Sequence, residues 1–208
     1  AVELKRKTKF RQTMTDLRTT LINRLETEFD KEMRGLLREQ IRHIDRMIRK
    51  IEKSSMETVG NNPSMRNKVE RFTKVGGVGE VTAISILTGL PEIGRLSDSK
   101  LNRLAGIAPE EKSSGTKEWQ RRIWGGRKDV RNALYMATTA GLQWNSILND
   151  YYRKKRAEGH PHKWAMIPTM RKLLSLLNRI ARDPNFSPIP EPESTKDNAR
   201  AGRKKKTA

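Results

Sequence analysis

Apolar positions recur at spacings of three and four through the first quarter of the chain. Phe10, Met14, Leu17, Leu21 and Leu25 form one series, and Met33, Leu37, Ile41, Ile44, Ile48 and Ile51 form another. That period lines them up on one side of a helix. No proline interrupts residues 4–51, and the positions between are crowded with Arg, Lys and Glu. Two shapes satisfy the pattern: one helix of about fifty residues, as in a coiled coil, or a hairpin turning near residues 26–30. Thr27 and Asp30 are each suited to cap a second helix there. Residues 1–57 therefore read as a helical stalk, serving dimerisation or acting as a basic arm along a nucleic acid. Residues 54–64, SSMETVGNNPS, are rich in turn formers and read as a linker before a second domain.

Residues 65–90 read as helix, short hairpin, helix. The hairpin is Val75-Gly76-Gly77-Val78-Gly79, and the second helix buries Val81, Ile84 and Leu87 before Gly89-Leu90-Pro91 ends it. This resembles the helix-hairpin-helix DNA-binding motif. In that motif glycines such as Gly77 and Gly79 let backbone amides approach a phosphate, and the following helix end adds attraction. Lys74 is the nearby cation. Such contacts are blind to base sequence. A plain tight turn between packed helices fits the same residues.

Four further helices are expected. A short one spans residues 97–104, capped by Ser97 or Asp98, with Leu101 and Leu104 inward. Residues 129–143 bury Val130, Leu134, Ala137 and Leu142. Asn145 caps residues 146–158, which set Tyr151 and Tyr152 beside Arg153, Lys154, Lys155 and Arg156. That mixture suits either a nucleic-acid backbone or a solvated basic face. Residues 164–180 carry the apolar stripe Met170, Leu173, Leu174, Leu177 and Ile180, with Arg171 and Lys172 outward. Pro168 either kinks this helix or marks its start. Trp119, Arg121 and Ile123 alternate, which allows a short β element over residues 117–123. From residue 183 the chain is Pro-rich, then polar, then basic, and reads as a disordered electrostatic tail, 183–208. The expected fold is mainly α: a long coiled coil or helical hairpin, then a compact helical domain over residues 65–182.

Charge narrows the partner. The 208 residues carry a formal net charge of +20, which calls for a polyanion. No apolar run is long enough to span a bilayer and no signal-peptide pattern opens the chain, so the polyanion is taken as nucleic acid, met in the cytoplasm. Cysteine is absent, which excludes disulfides and thiolate metal sites. His43, His160 and His162 are too scattered for a zinc site. The sequence opens at Ala1, midway through a charged helical pattern, so it is expected to be a fragment.

Residues 105–131 hold the densest chemistry. Ser113, Ser114 and Gly115 are followed by Lys117, Arg121, Arg122, Arg127, Lys128 and Arg131, with Gly125 and Gly126 inside the run. A serine hydroxyl is a weak nucleophile until a base takes its proton or charge favours its alkoxide. Guanidinium groups stabilise both the alkoxide and the charge at a phosphorus under attack. By itself, a serine beside glycine is most often a turn residue.

Three segments carry a family likeness: Ser114-Gly115-Thr116, Arg122-Ile123-Trp124-Gly125-Gly126-Arg127 and Val130-Arg131-Asn132-Ala133-Leu134-Tyr135-Met136-Ala137-Thr138. They resemble the C-terminal region of DEDD-type transposases of the insertion sequence one-ten family, related to the Piv DNA invertases and nearest the eleven-eleven branch. The likeness runs from Val69 to about Ile180. It implies DNA transposition with the serine of the Ser-Gly pair joining a DNA 5′ phosphate, which places the nucleophile at Ser114, with Ser113 one residue away. It implies backbone contacts for Arg122, Arg127 and Arg131. It also implies an N-terminal RuvC-like domain whose acidic residues bind divalent magnesium, a structured noncoding guide RNA, duplex DNA and a dimer or tetramer formed through the coiled coil. No metal ligand is assigned to this chain. The sequence departs from the branch in Lys117-Glu118-Trp119-Gln120-Arg121-Arg122, where Arg-Gly-Lys-Arg often precedes the isoleucine, and in Pro168. The alternative is a non-catalytic helix-hairpin-helix module binding DNA or RNA, with the stalk for dimerisation.

Overall fold

The computed structural model describes residues 2–110, 113–114, 117–118, 122–123 and 125–186, with side chains over 2–108 and 125–186. The fold is mainly helical. Helices α1 (Val2–Thr27) and α2 (Lys31–Gly60) form an antiparallel hairpin. The turn between them explains why the chain does not continue as one helix. Asp30 caps α2 by accepting from the Met33 amide at 2.8 Å. Glu28 Oε1 accepts from the amides of Phe29 and Asp30, and Arg34 donates to the carbonyls of Leu25 and Glu28. Thr27 instead closes α1, its hydroxyl donating back to the Arg24 carbonyl. Ion pairs Arg11–Glu52 (2.7 Å) and Arg18–Asp45 (2.6 Å) cross-link the two helices seven residues apart on each, the coiled-coil period. Ile44 is buried between them, whereas Phe10, Leu17, Phe29, Met33 and Leu36 face solvent.

The expected linker over residues 54–64 is corrected by the structure. Helix α2 continues to Gly60, and only Asn61 and Asn62 separate it from α3 (Pro63–Thr73). The hydroxyls of Ser55 and Thr58 donate to carbonyls one turn back, which removes their competition with the helix. Val59 is buried with Leu4, Val69 and Phe72, so the root of the hairpin lies inside the same core as the residues that follow. Asn62 then caps α3, with Pro63 in its first turn.

That core is built by α3, α4 (Glu80–Gly89), α5 (Asp98–Leu104), α6 (Lys128–Trp144), α7 (Ser146–Ala157) and α8 (His162–Arg182). Helix α4 has Ala83, Ile84, Ile86, Leu87 and Thr88 buried and packs against α1, α3 and α6. Helix α8 contributes Met170, Leu173, Leu174, Leu177 and Ile180, the full expected stripe. Asn178 of α8 ties down the segment before α5: its amide donates to the Leu96 carbonyl and Asp98 Oδ1, and its oxygen accepts from the Gly94 amide. Asn145 caps α7 by accepting from the Leu148 amide at 3.2 Å. Pro168 lies inside α8, which starts six residues earlier at His162. Leu142, expected to be buried, is only half-buried.

The chain after α8 stays attached for a few residues. Arg71 donates to the carbonyls of Asp183 and Phe186, and the Arg179 guanidinium lies 4.1 Å from the Phe186 ring centre. Of the tail expected over 183–208, residues 187–208 lie outside the described residues.

Candidate nucleic-acid interface

Between α5 and α6 the backbone leaves the helical core as a β-hairpin. Strand β1 (Pro109–Glu110) pairs antiparallel with β4 (Arg122–Ile123), and β2 (Ser113–Ser114) with β3 (Lys117–Glu118). The registers are Pro109 with Ile123, Glu110 with Arg122, Ser113 with Glu118 and Ser114 with Lys117. Ser114 thus belongs to the last described rung, with Gly115 and Thr116 completing the connection in sequence. The side chains of Ser113, Ser114, Lys117 and Arg122, and Arg121 altogether, lie outside the described residues. Sequence alternation points to the return strand only; the Ser-Ser strand opposite has no apolar pattern to reveal it.

The base of the hairpin is held by backbone. Gly106, Gly125 and Gly126 have φ of +67°, +70° and +68°. A Cβ on Gly126 would lie 2.3 Å from the Gly106 nitrogen, and one on Gly106 would lie 2.4 Å from the Gly125 oxygen. Only glycine fits this approach of one chain segment to another. The Arg127 amide donates to the Leu104 carbonyl at 2.8 Å, and Arg131 Nη1 donates to the Gly125 carbonyl at 2.8 Å. On the outgoing side the Asn102 carbonyl accepts from the amides of Ile107 and Ala108. Gly106 and Gly126 therefore admit neighbouring backbone, whereas a Cβ on Gly125 would meet open space.

Arg127 has a second engagement. Its guanidinium makes two hydrogen bonds of 2.6 Å to the Glu92 carboxylate and one of 2.8 Å to the Gly89 carbonyl. The Arg127 hydrogen bonds hold the Glu92 carboxyl below the usual carboxylate range, and Glu92 raises the Arg127 guanidinium above its ordinary value in return. The expected phosphate contact at Arg127 thus meets a side chain already neutralised by a bidentate partner. Glu92 was invisible as a partner in the sequence, since nothing about its spacing connects it to residue 127. Lys128 is exposed at the first turn of α6, and Arg131 is half-buried against the hairpin base.

The turn between α3 and α4 divides the remaining expected residues. Gly77 has φ of +94°, and a Cβ there would collide with the Gly141 backbone of α6 at 2.3 Å. Its lack of a side chain is required for packing on α6, a demand separate from the expected contact of its amide with a phosphate. Gly79 is different: it is exposed, has open space around it and caps α4 without any side-chain hydrogen bond. The first amides of α4 are therefore left without side-chain partners at that end. Lys74 is exposed one turn away, at the end of α3. The α7 cluster is partly turned inward: the Tyr151 ring lies 4.5 Å from Lys172 Nζ and 5.9 Å from Lys155 Nζ, and Tyr152 hydrogen-bonds His162 at 2.8 Å.

Among the described residues, no group of three His, Asp or Glu side chains is placed to hold a metal ion. The divalent metal implied by the family likeness belongs in that family to the acidic N-terminal domain, and the described residues of this chain offer no donor set for it. No described helix is long and apolar enough to cross a membrane.

Residues 69–153, spanning the α3–α4 turn, the hairpin, α6 and two thirds of α7, match the model of the transposase IS116/IS110/IS902 family. This segment is similar to the transposases of that family. The chain is 30% identical over 122 residues to an insertion element IS110 uncharacterized 43.6 kDa protein of Streptomyces coelicolor, covering 55% of this chain and 29% of that protein. It is 30% identical over 159 residues to an insertion element IS116 uncharacterized 44.8 kDa protein of Streptomyces clavuligerus, covering 74% of this chain and 37% of that protein. The chain thus spans less than two fifths of the curated relatives it matches. The matched segment begins at Val69, buried in the core beside Phe72, so it shares one interior with the root of the helical hairpin.

Proposed function

We propose that this chain is the nucleic-acid-binding and strand-capturing part of a DEDD-type IS110 transposase of the eleven-eleven branch, with the Ser114 hydroxyl as nucleophile. The observation that carries the reading is the hairpin: Ser114 stands on its last described rung, opposite Lys117, and its base is fixed by glycine contacts at the start of α6. A fixed base suits a group that must be held in place to meet a DNA backbone. In the reaction, Ser114 Oγ attacks a phosphorus, its proton passes to a general base, the Oγ–P bond forms and the P–O3′ bond breaks. The departing 3′ oxygen takes a proton, and the DNA 5′ phosphate remains joined to the serine. Attack by another 3′ hydroxyl reverses these changes and joins new strands. Lys117, Arg121, Arg122, Lys128 and Arg131 serve the phosphate charge, with Arg127 holding the hairpin against α4.

The α3–turn–α4 element acts as a helix-hairpin-helix contact for duplex DNA, through Lys74 and the open end of α4 at Gly79. The solvent-facing Phe10, Leu17, Phe29, Met33 and Leu36 support self-association through the α1–α2 hairpin. A structured noncoding RNA and an acidic magnesium-binding domain complete the active assembly in this reading.

The test is trapping. Full-length transposase carrying this chain is mixed with a donor DNA junction and digested, and the peptides are searched by mass spectrometry for a nucleotide ester at Ser114. Ser114→Ala is expected to keep DNA binding and lose the adduct and strand exchange. Strand exchange that survives in Ser114→Ala and fails in Ser113→Ala moves the nucleophile by one residue. Exchange that survives in both variants leaves the non-catalytic binding module as the correct reading.

A further inference from the structure

Helices α1, α4 and α6 enclose a groove of about 620 Å³. Lys5 and Lys9 line its α1 side, Val81 contributes from α4, and Asn132, Tyr135 and Met136 line its α6 side. Tyr135 and Met136 are 41% and 63% exposed, although both are large and neither joins the buried stripe of α6. Carboxylates are sparse: Asp129 is the one that lines it, and Arg11, also in the lining, is paired with Glu52. The groove is therefore apolar along its walls and cationic along one rim.

We propose that this groove binds a single strand of DNA, with a base on the Tyr135 ring and phosphates at Lys5 and Lys9. The proposal rests on the reading that this chain handles DNA strands. Three observations favour that occupant. An aromatic face with cations across from it is the pairing single strands use, because every base has a π face and every nucleotide a charge. Lysine stems lie along apolar surface while their ammonium groups reach outward to a phosphate. A cleft in the range of roughly 300–1,000 Å³ is of a size to accept a few small groups entering singly. Position supplies a further argument. Gly89 lines the groove, and its carbonyl holds Arg127, the residue that starts α6 beneath the strand-capturing hairpin. The groove thus ends beside the anchor of the hairpin base.

The full chain is titrated into a fluorescent oligothymidylate and read by anisotropy at several salt concentrations. Tyr135→Ala is expected to weaken binding about tenfold, the loss of one stacked base, while Tyr135→Phe stays near the parent. Lys5→Gln with Lys9→Gln is expected to lower the log–log salt slope by about 1.4, the value for two phosphates on a single strand. Photolysis with iodouracil-substituted DNA is expected to attach label within residues 132–136. All three positions are exposed, and an unchanged thermal transition confirms that the variants fold. Parent-like affinity and salt slope in these variants would overturn the proposal, as would label confined to residues 151–156. An oligoribonucleotide that outcompetes the matching DNA would reject single-stranded DNA as the occupant. Ser114→Ala leaves every groove contact intact: loss of its covalent adduct bears on the nucleophile alone, and loss of oligonucleotide binding in the groove variants bears on the groove alone.

Discussion

Arg127 and Glu92 meet through two hydrogen bonds of 2.6 Å each, joining the start of α6 to the segment just after α4. The pair ties together the two pieces that the functional reading needs in register: the hairpin base and the helix that follows the α3–α4 turn. Both side chains remain about one-third exposed, so solvent weakens the pair. Glu92→Gln is expected to cost on the order of 1 kcal/mol at neutral pH. The sign with pH follows from the lowered Glu92 carboxyl. Its contribution is complete above the ordinary carboxylate value of 4.5 and is lost as pH falls from there through the folded value. Urea titrations of parent and variant should therefore converge in acid and separate toward neutrality.

Two glycines should respond in opposite directions. Gly126→Ala forces a side chain into a left-handed residue already touching Gly106, and is expected to lose about 2 kcal/mol or more. Gly35→Ala, within α2 and with open space around it, should gain about 0.5–1 kcal/mol. Urea midpoints of the two variants test the pair.

Phe29 is 95% exposed at the turn of the helical hairpin. Phe29→Ser combined with Met33→Ser should leave thermal stability unchanged and shift sedimentation toward the monomer. Unchanged self-association would remove the hairpin tip from any interface.

Binding to duplex DNA should fall steeply with salt. Lys128→Gln is expected to lower the log–log slope by about 0.9, one phosphate's worth. Lys31→Gln, at the far end of the helical hairpin, should leave the slope unchanged.

Much of the fold is legible because burial repeats with the helical period. The α8 stripe from Met170 to Ile180 and the Asn145 cap follow from local pattern alone. The 54–64 segment misleads for a physical reason. Its serines and threonine look like turn formers, yet Ser55 and Thr58 bond within their own helix and Val59 fills the core. Tertiary burial decides there, and composition does not record it. The site divides similarly. The cationic run and the Ser-Gly pair are visible as residues, whereas the Glu92 engagement of Arg127 and the packing role of Gly77 depend on segments far apart in sequence. The α1–α4–α6 groove leaves one sequence trace, Tyr135 and Met136 sitting beside Leu134 but off the buried face.

The contact of Gly106 with Gly126 makes the hairpin behave like an excursion with a clasp at its neck. Because the neck closes through main-chain atoms, the domain beneath is insulated from whatever lies between. Closing a longer excursion costs little extra, since the penalty grows only with the logarithm of its length. A change of length between the two glycines is therefore expected to cost the helices beneath little, because the clasp itself stays the same.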